Sequence, residues 1–215
     1  MDRRKALKNM GLSLGYVVAT PTLLSIVQSC KEENILQWTP DFFTKEEGSV
    51  ISQLADIILP KTDSPSATEV QVNLFIDRFA DQVMKKEQQE FFKMAMGKFI
   101  SKSLTEAGKD KANELNPNDL EPVLSSVLSV SKEVLKSNEE AITNYMKAVD
   151  KGETVTLDAT VAQFAFASNL RGLTILGYKT SEYVGEKVLS YLPLPGEFIA
   201  CGNVQELTRG KAWSL

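Results

Sequence analysis

Thr44-Lys45-Glu46-Glu47-Gly48-Ser49-Val50-Ile51-Ser52-Gln53-Leu54-Ala55-Asp56-Ile57-Ile58-Leu59-Pro60 is the run that decides the fold class. Thr44 is a helix cap, and Glu47 three residues later completes a capping box. Ile51, Leu54, Ala55, Ile58 and Leu59 then recur at helical spacing. Pro60 closes the segment, because proline disfavours helix in the residue before it.

The same grammar repeats downstream. Residues 60–68, Pro-Lys-Thr-Asp-Ser-Pro-Ser-Ala-Thr, read as a loop. Val72, Phe75, Ile76 and Phe79 line one face of a second helix. Gln88 to Leu104 continues the pattern with Phe91, Phe92, Ala95, Met96, Phe99 and Ile100, a stripe that reads as core. Asn116-Pro117-Asn118-Asp119 is a turn whose Asp119 caps a short helix over Leu120 to Val130. Another helix spans Lys132 to Val149 and ends at Lys151-Gly152. A long one starts near Leu157 and is stopped by Gly177. A last one covers Ser181 to Tyr191, and the tail Pro193 to Gly202 is irregular. No run alternates with period two, so the chain is read as all-α, a single-domain helical bundle with an irregular C-terminal tail.

Composition bounds the chemistry. The 215 residues are 43% apolar and 24% charged, ordinary for a chain that buries one core. Histidine is absent, which removes the commonest general base and metal ligand. Of the net charge of −4, residues 1–29 contribute +3, which leaves −7 on the remainder. That acidic balance excludes nucleic acid as a partner, since phosphate backbones need clustered Lys and Arg. With only Cys30 and Cys201 and no His, a Cys-x-x-Cys-His haem attachment is impossible. No Gly-x-Gly-x-x-Gly fingerprint occurs. Gly172 to Thr180 resembles a phosphate loop, but Tyr178 separates Gly177 from Lys179 in an apolar helical pattern, so the segment reads as a helix end. The pairs Glu46/Glu47 and Glu139/Glu140 fit solvated or capping positions. Asp63, on a loop between two apolar helices, reads as a turn residue or cap that could also serve acid–base work with Asp56.

The first residues follow the plan of an export signal. Arg3, Arg4, Lys5 and Lys8 form a basic head, Gly11 to Val27 carries no charge, and a small residue, Ser29, precedes Cys30. The middle holds Gly11, Gly15, Thr20, Pro21 and Thr22, too weakly apolar for a lasting membrane span. Arg3-Arg4-Lys5-Ala6-Leu7-Lys8 resembles the twin-arginine signal, with Ala6 in place of the usual Phe; a general secretory signal holding two arginines is the alternative. Val27-x-Ser29-Cys30 resembles a lipobox, and Cys30-Lys31-Glu32-Glu33 the surface-export tag of Bacteroidetes lipoproteins. The expected organisation is a signal peptide over 1–29, a lipidated tether over 30–40 and a helical domain over 41–215. The expected location is a lipoprotein anchored through Cys30, facing the periplasm or cell surface of a Gram-negative bacterium. A buried free thiol is the competing reading of Cys30.

Trp38-x-Pro40-x-Phe42-Phe43-Thr44-x-Glu46-Glu47, then Leu54-Ala55-Asp56-Ile57-Ile58-Leu59-Pro60-x-Thr62-Asp63-Ser64-Pro65-Ser66-Ala67 and Val72-x-x-Phe75-Ile76-Asp77, resemble the gluconate 2-dehydrogenase subunit 3 family. Its loop usually has Gly where this chain has Ser66. Leu176-Gly177-Tyr178-x-Thr180-Ser181-Glu182, Tyr191-x-Pro193-x-Pro195-Gly196 and Gly210-Lys211-Ala212-Trp213 resemble its Bacteroidetes branch. Residues 80–155 carry no matching motif.

The resemblance implies a noncatalytic accessory subunit. Its partner would be a large flavoprotein of the glucose–methanol–choline type that holds FAD and oxidises a sugar, sugar acid or alcohol. A cytochrome c subunit with haem c often takes the electrons. The small subunit of such complexes supports export and stability of the large one and holds no known cofactor. No catalytic, cofactor-binding or metal residue transfers from the family. Asp56, Pro60, Asp63, Pro65, Pro195 and Gly196, on motif-rich irregular segments, are the candidate partner contacts. Two other classes stay open: a stand-alone carboxylate enzyme using Asp56 and Asp63, and a glycan-binding surface lipoprotein.

Overall fold

The first described helix starts where its cap dictates. The computed structural model describes residues 38–192, 196 and 201–214, so Arg3, Arg4, Cys30 and Pro195 lie outside the described residues. Helix α1 (Lys45–Ile58) opens on Thr44, whose N–H donates to Glu47 Oε2 at 2.8 Å while Glu47 N–H donates to Thr44 Oγ1 at 3.2 Å. The capping box read from the sequence is therefore present. The helix ends at Ile58, two residues before Pro60.

Five more long helices follow: α2 (Val72–Gln82), α3 (Lys86–Ala107), α4 (Pro117–Leu128), α5 (Lys132–Asp150) and α6 (Ala159–Thr180). Helix α3 stops at Gly108, whose φ of +62° is the left-handed conformation that glycine adopts without strain. Lys109 N–H then reaches back to Leu104 O at 3.0 Å. Helix α4 begins a turn earlier than the apolar pattern predicts. Asn116, not Asp119, is its cap, and Pro117 takes the first helical position, where its missing N–H costs nothing. Asp119 sits three residues in and accepts Asn116 N–H at 2.8 Å. Burial pushes its carboxyl up, but the Lys109 ammonium and that N–H outweigh burial and hold it below the usual carboxylate range.

Helix α6 is the centre of the bundle and touches each of the other five long helices. Residues 162–167, Ala-Gln-Phe-Ala-Phe-Ala, are buried all round, the mark of a helix with neighbours on every side. Its alanines let α3 come close. Phe166 then packs edge-to-face on Phe92 and tilted against Phe99 of α3, at centroid distances of 5.4 and 5.2 Å. Each such pair adds about 0.5–1.5 kcal/mol beyond area burial. Ile51 and Leu54 of α1, Ile76 of α2, and Leu120 and Val123 of α4 complete the core. Helix α5 contributes no fully buried residue and lies at the periphery.

Gly177 is not a helix stop. It is buried inside α6, where a Cβ would stand 2.5 Å from Cδ1 of Phe75, so glycine is there for close approach of α2 to α6. After Thr180 the chain is helical again over 182–188, its last five residues (Val184–Val188) of the wide π type, which is shorter than the helix expected over Ser181 to Tyr191. The chain leaves it extended because Ser190 is claimed by the C-terminus: its N–H donates to Ala212 O, and Ser214 N–H donates to Ser190 O, both at 2.9 Å. The last helix is the short α7 (Val204–Thr208), capped by Asn203. Among the described residues there is no strand, only the bridge between Ser190 and Trp213.

Candidate functional site

The loop between α1 and α2 is built by side chains bonding backbone. Ser66 and Glu69 form a second reciprocal box: Ser66 N–H donates to Glu69 Oε2 at 2.9 Å, and Glu69 N–H to Ser66 Oγ at 3.4 Å. Lys61 pairs with the other oxygen of Glu69. The Lys61 bond first, then the Ser66 N–H, hold the Glu69 carboxyl below its usual range. The box opens a single 3₁₀ turn, Thr68–Val70. Gln71 follows in the left-handed region at φ +62°, the bend that launches α2. Ala67 is buried and closes the loop, its N–H donating to Leu59 O at 3.0 Å.

Asp56 projects from α1 onto this turn. Its Oδ1 accepts Thr68 N–H at 2.9 Å and its Oδ2 accepts the Thr68 hydroxyl at 2.6 Å. Both oxygens are thus engaged in shaping the loop. Pro60 and Asp63 are exposed on the loop's outer limb. Pro65 is half-buried, and its carbonyl accepts the Tyr178 hydroxyl at 2.8 Å. That bond spans 113 residues and joins the two motif-bearing segments, 54–67 and 176–182. Gly196 is exposed, with no atom within 4 Å of where a Cβ would stand.

Asp77 is the residue whose role the motif reading left unassigned. Its side chain is 2% exposed and accepts three backbone N–H groups, from Asp41 at 2.7 Å and from Phe42 and Phe43 at 3.1 Å each. It pins the bent entry segment, residues 41–43, to α2. Asn73, one turn earlier on the same face, donates to Ser52 Oγ at 3.3 Å, and the Trp38 indole donates to the same oxygen at 3.4 Å. Lys93 of α3 pairs with Glu47 and lies over the Phe42 ring, 4.7 Å from its centroid. The signal for this clamp is two polar residues, Asn73 and Asp77, at i, i+4 on the same side of the helix as the apolar Val72, Ile76 and Ala80, where both are buried.

From this loop a trough runs along the outer face of α2. Near Pro65 and Tyr183 it is an open groove of about 380 Å³. It continues past Phe75 and Arg78 as one of about 460 Å³. It widens beyond Phe79 and Val83 to about 640 Å³ between α3, α5 and α6, where Met84, Phe91 and Met146 face it. Neighbouring sections share lining residues, Gln71 and Glu182 at one junction and Phe79 and Val83 at the other, so the three adjoin along α2. Among the described residues, no group of three or more Asp, Glu, Cys or His could hold a metal ion. None of the described helices is long and apolar enough to cross a membrane.

The loop is thus knit by side-chain bonds beside the grooves along α2, and both oxygens of Asp56 are taken by Thr68. No curated protein and no solved structure shows a significant match to the chain. The family model described as gluconate 2-dehydrogenase subunit 3 matches residues 45–196, from the start of α1 through the trough-lining helices to Gly196. The chain therefore belongs to the gluconate 2-dehydrogenase subunit 3 family.

Proposed function

We propose that this chain is the noncatalytic accessory subunit of a membrane-associated, flavin-dependent dehydrogenase complex that oxidises a sugar, a sugar acid or an alcohol. The family match over residues 45–196 carries this reading. FAD belongs to a large partner flavoprotein of the glucose–methanol–choline type, and haem c, where used, to a cytochrome subunit. The loop supports the reading physically: Pro60 and Asp63 are exposed on a backbone that Asp56, Glu69 and Tyr178 hold fixed. A preformed loop loses little entropy on binding. We assign Pro65, Pro195 and Gly196 as further partner contacts on the family motif alone.

Export and anchoring complete the role. Arg3 and Arg4 head a signal over residues 1–29, and the lipid on Cys30 holds the complex to the membrane through the tether 30–40. Each buried methylene of acyl chain contributes about 0.8 kcal/mol, so several chains on one cysteine anchor stably. The test is affinity purification of the tagged full chain from its own membranes. Recovery of a flavoprotein with a flavin absorption spectrum is expected, and Cys30→Ala should move the pair into the soluble fraction. Recovery of the chain without any flavoprotein overturns the proposal.

A further inference from the structure

We infer that the trough along α2 seats one amphipathic helical segment of the partner flavoprotein, apolar on its buried face, with a carboxylate placed to meet Arg78. The inference rests on the accessory-subunit reading and specifies where and how the partner is held.

Two stripes run side by side along α2. Phe75, Phe79 and Val83 recur at i, i+4 and i+8 and form an apolar one. Leu74, Arg78 and Gln82, at the same spacing, form its rim. An α-helix of 11 residues is about 16 Å long. With the sections beyond either end, the trough matches a partner helix of roughly three to four turns. Val83 is 62% exposed, although it is aliphatic and sits at the junction of the two largest sections. Phe75 and Phe79 are half-buried against the core, and their outer faces line the groove that Val83 continues.

Charge selects the occupant and orients it. Arg78 is exposed on the rim, and no ion pair with it forms among the described residues. A guanidinium flanked by apolar groups attracts a carboxylate, which it can bind with two parallel hydrogen bonds. Glu182, at the Pro65 end, has no ion pair among the described residues either and calls for a basic or amide group. The segment thus carries its acid near the middle and its base toward the Pro65 end. A lipid chain would satisfy the apolar stripe alone, and a second copy of this chain is the other competing occupant.

The experiment uses the full chain co-produced with the flavoprotein. A photo-cross-linking residue at Val83 should capture one flavoprotein peptide with apolar residues at helical spacing and an acid among them. The same probe at Val134, exposed on α5, should not capture that peptide. Val83→Asp and Arg78→Glu change exposed side chains, so helical circular dichroism and melting should stay as in the wild type. Each should weaken flavoprotein retention at least tenfold, whereas Val134→Asp should not. Changing the captured acid to Lys should restore retention by Arg78→Glu. Wild-type retention by both trough variants, or a cross-link to lipid or a second copy, overturns this inference and leaves the accessory-subunit reading intact. A wild-type preparation without flavoprotein overturns both.

Discussion

The two ends of the described chain are held by opposite means. Residues 38–79 are knit by side chains: Asp77 takes three backbone N–H groups, Asp56 fixes Thr68, and Ser66 and Glu69 cap each other. Residues 181–214 rest on a few backbone bonds, with only Val184, Gly185 and Thr208 buried among those described. Tyr183, Tyr191, Leu192, Val204, Leu207 and Trp213 all present apolar surface to solvent. The contrast separates an amino end fixed by buried polar bonds from a carboxyl end whose apolar groups stay exposed. The amino end has the property that a docking template needs, since its geometry exists before anything binds.

The contrast breaks hardest at Asp77. Asp77→Ala orphans three backbone donors next to the core and should cost about 3 kcal/mol. Denaturant unfolding of the helical domain checks it, and a loss under about 1 kcal/mol would mean the entry segment is not pinned. Gly177→Ala comes next. Alanine favours helix by about 1 kcal/mol, but its Cβ collides with the Phe75 ring, an overpacking worth about 1–3 kcal/mol. A net loss is expected in the native background and a gain in a Phe75→Ala background, measured as a double-mutant cycle. The smallest effect belongs to the carboxyl end. Trp213→Ser removes a side chain that is 48% exposed and should change stability by no more than about 0.5 kcal/mol. A loss above 1 kcal/mol would show the tail to be as tightly packed as the loop.

Each feature was legible in the sequence to the extent that its cause is local. The Thr44–Glu47 box, the stop before Pro60 and the end of α5 at Lys151-Gly152 each depend on a few consecutive residues, and each is found as read. Gly177 shows the limit. A glycine late in an apolar helical pattern reads as a stop, yet it sits inside α6 because a ring from α2, about a hundred residues earlier, needs the space. The turn at 116–119 offers both Asn and Asp, which cap equally well, and only the fold selects Asn116 over the expected Asp119. The helix expected over Ser181 to Tyr191 stops at Val188 because Ser190 pairs with Ala212 and Ser214, over twenty residues further on.

By itself the sequence determined the helical class, where most helices begin and end, and the motifs that place the chain in its family. Capping and periodicity act over three or four residues, so they survive without knowledge of the fold. Only the tertiary structure decided that Asp56 is spent on Thr68 and that Asp77 holds the entry segment. It also decided that Tyr178 reaches Pro65 and that an apolar trough opens along α2. These contacts join residues 12 to 113 positions apart. Their partners become neighbours only when burial of α6 brings the other helices around it.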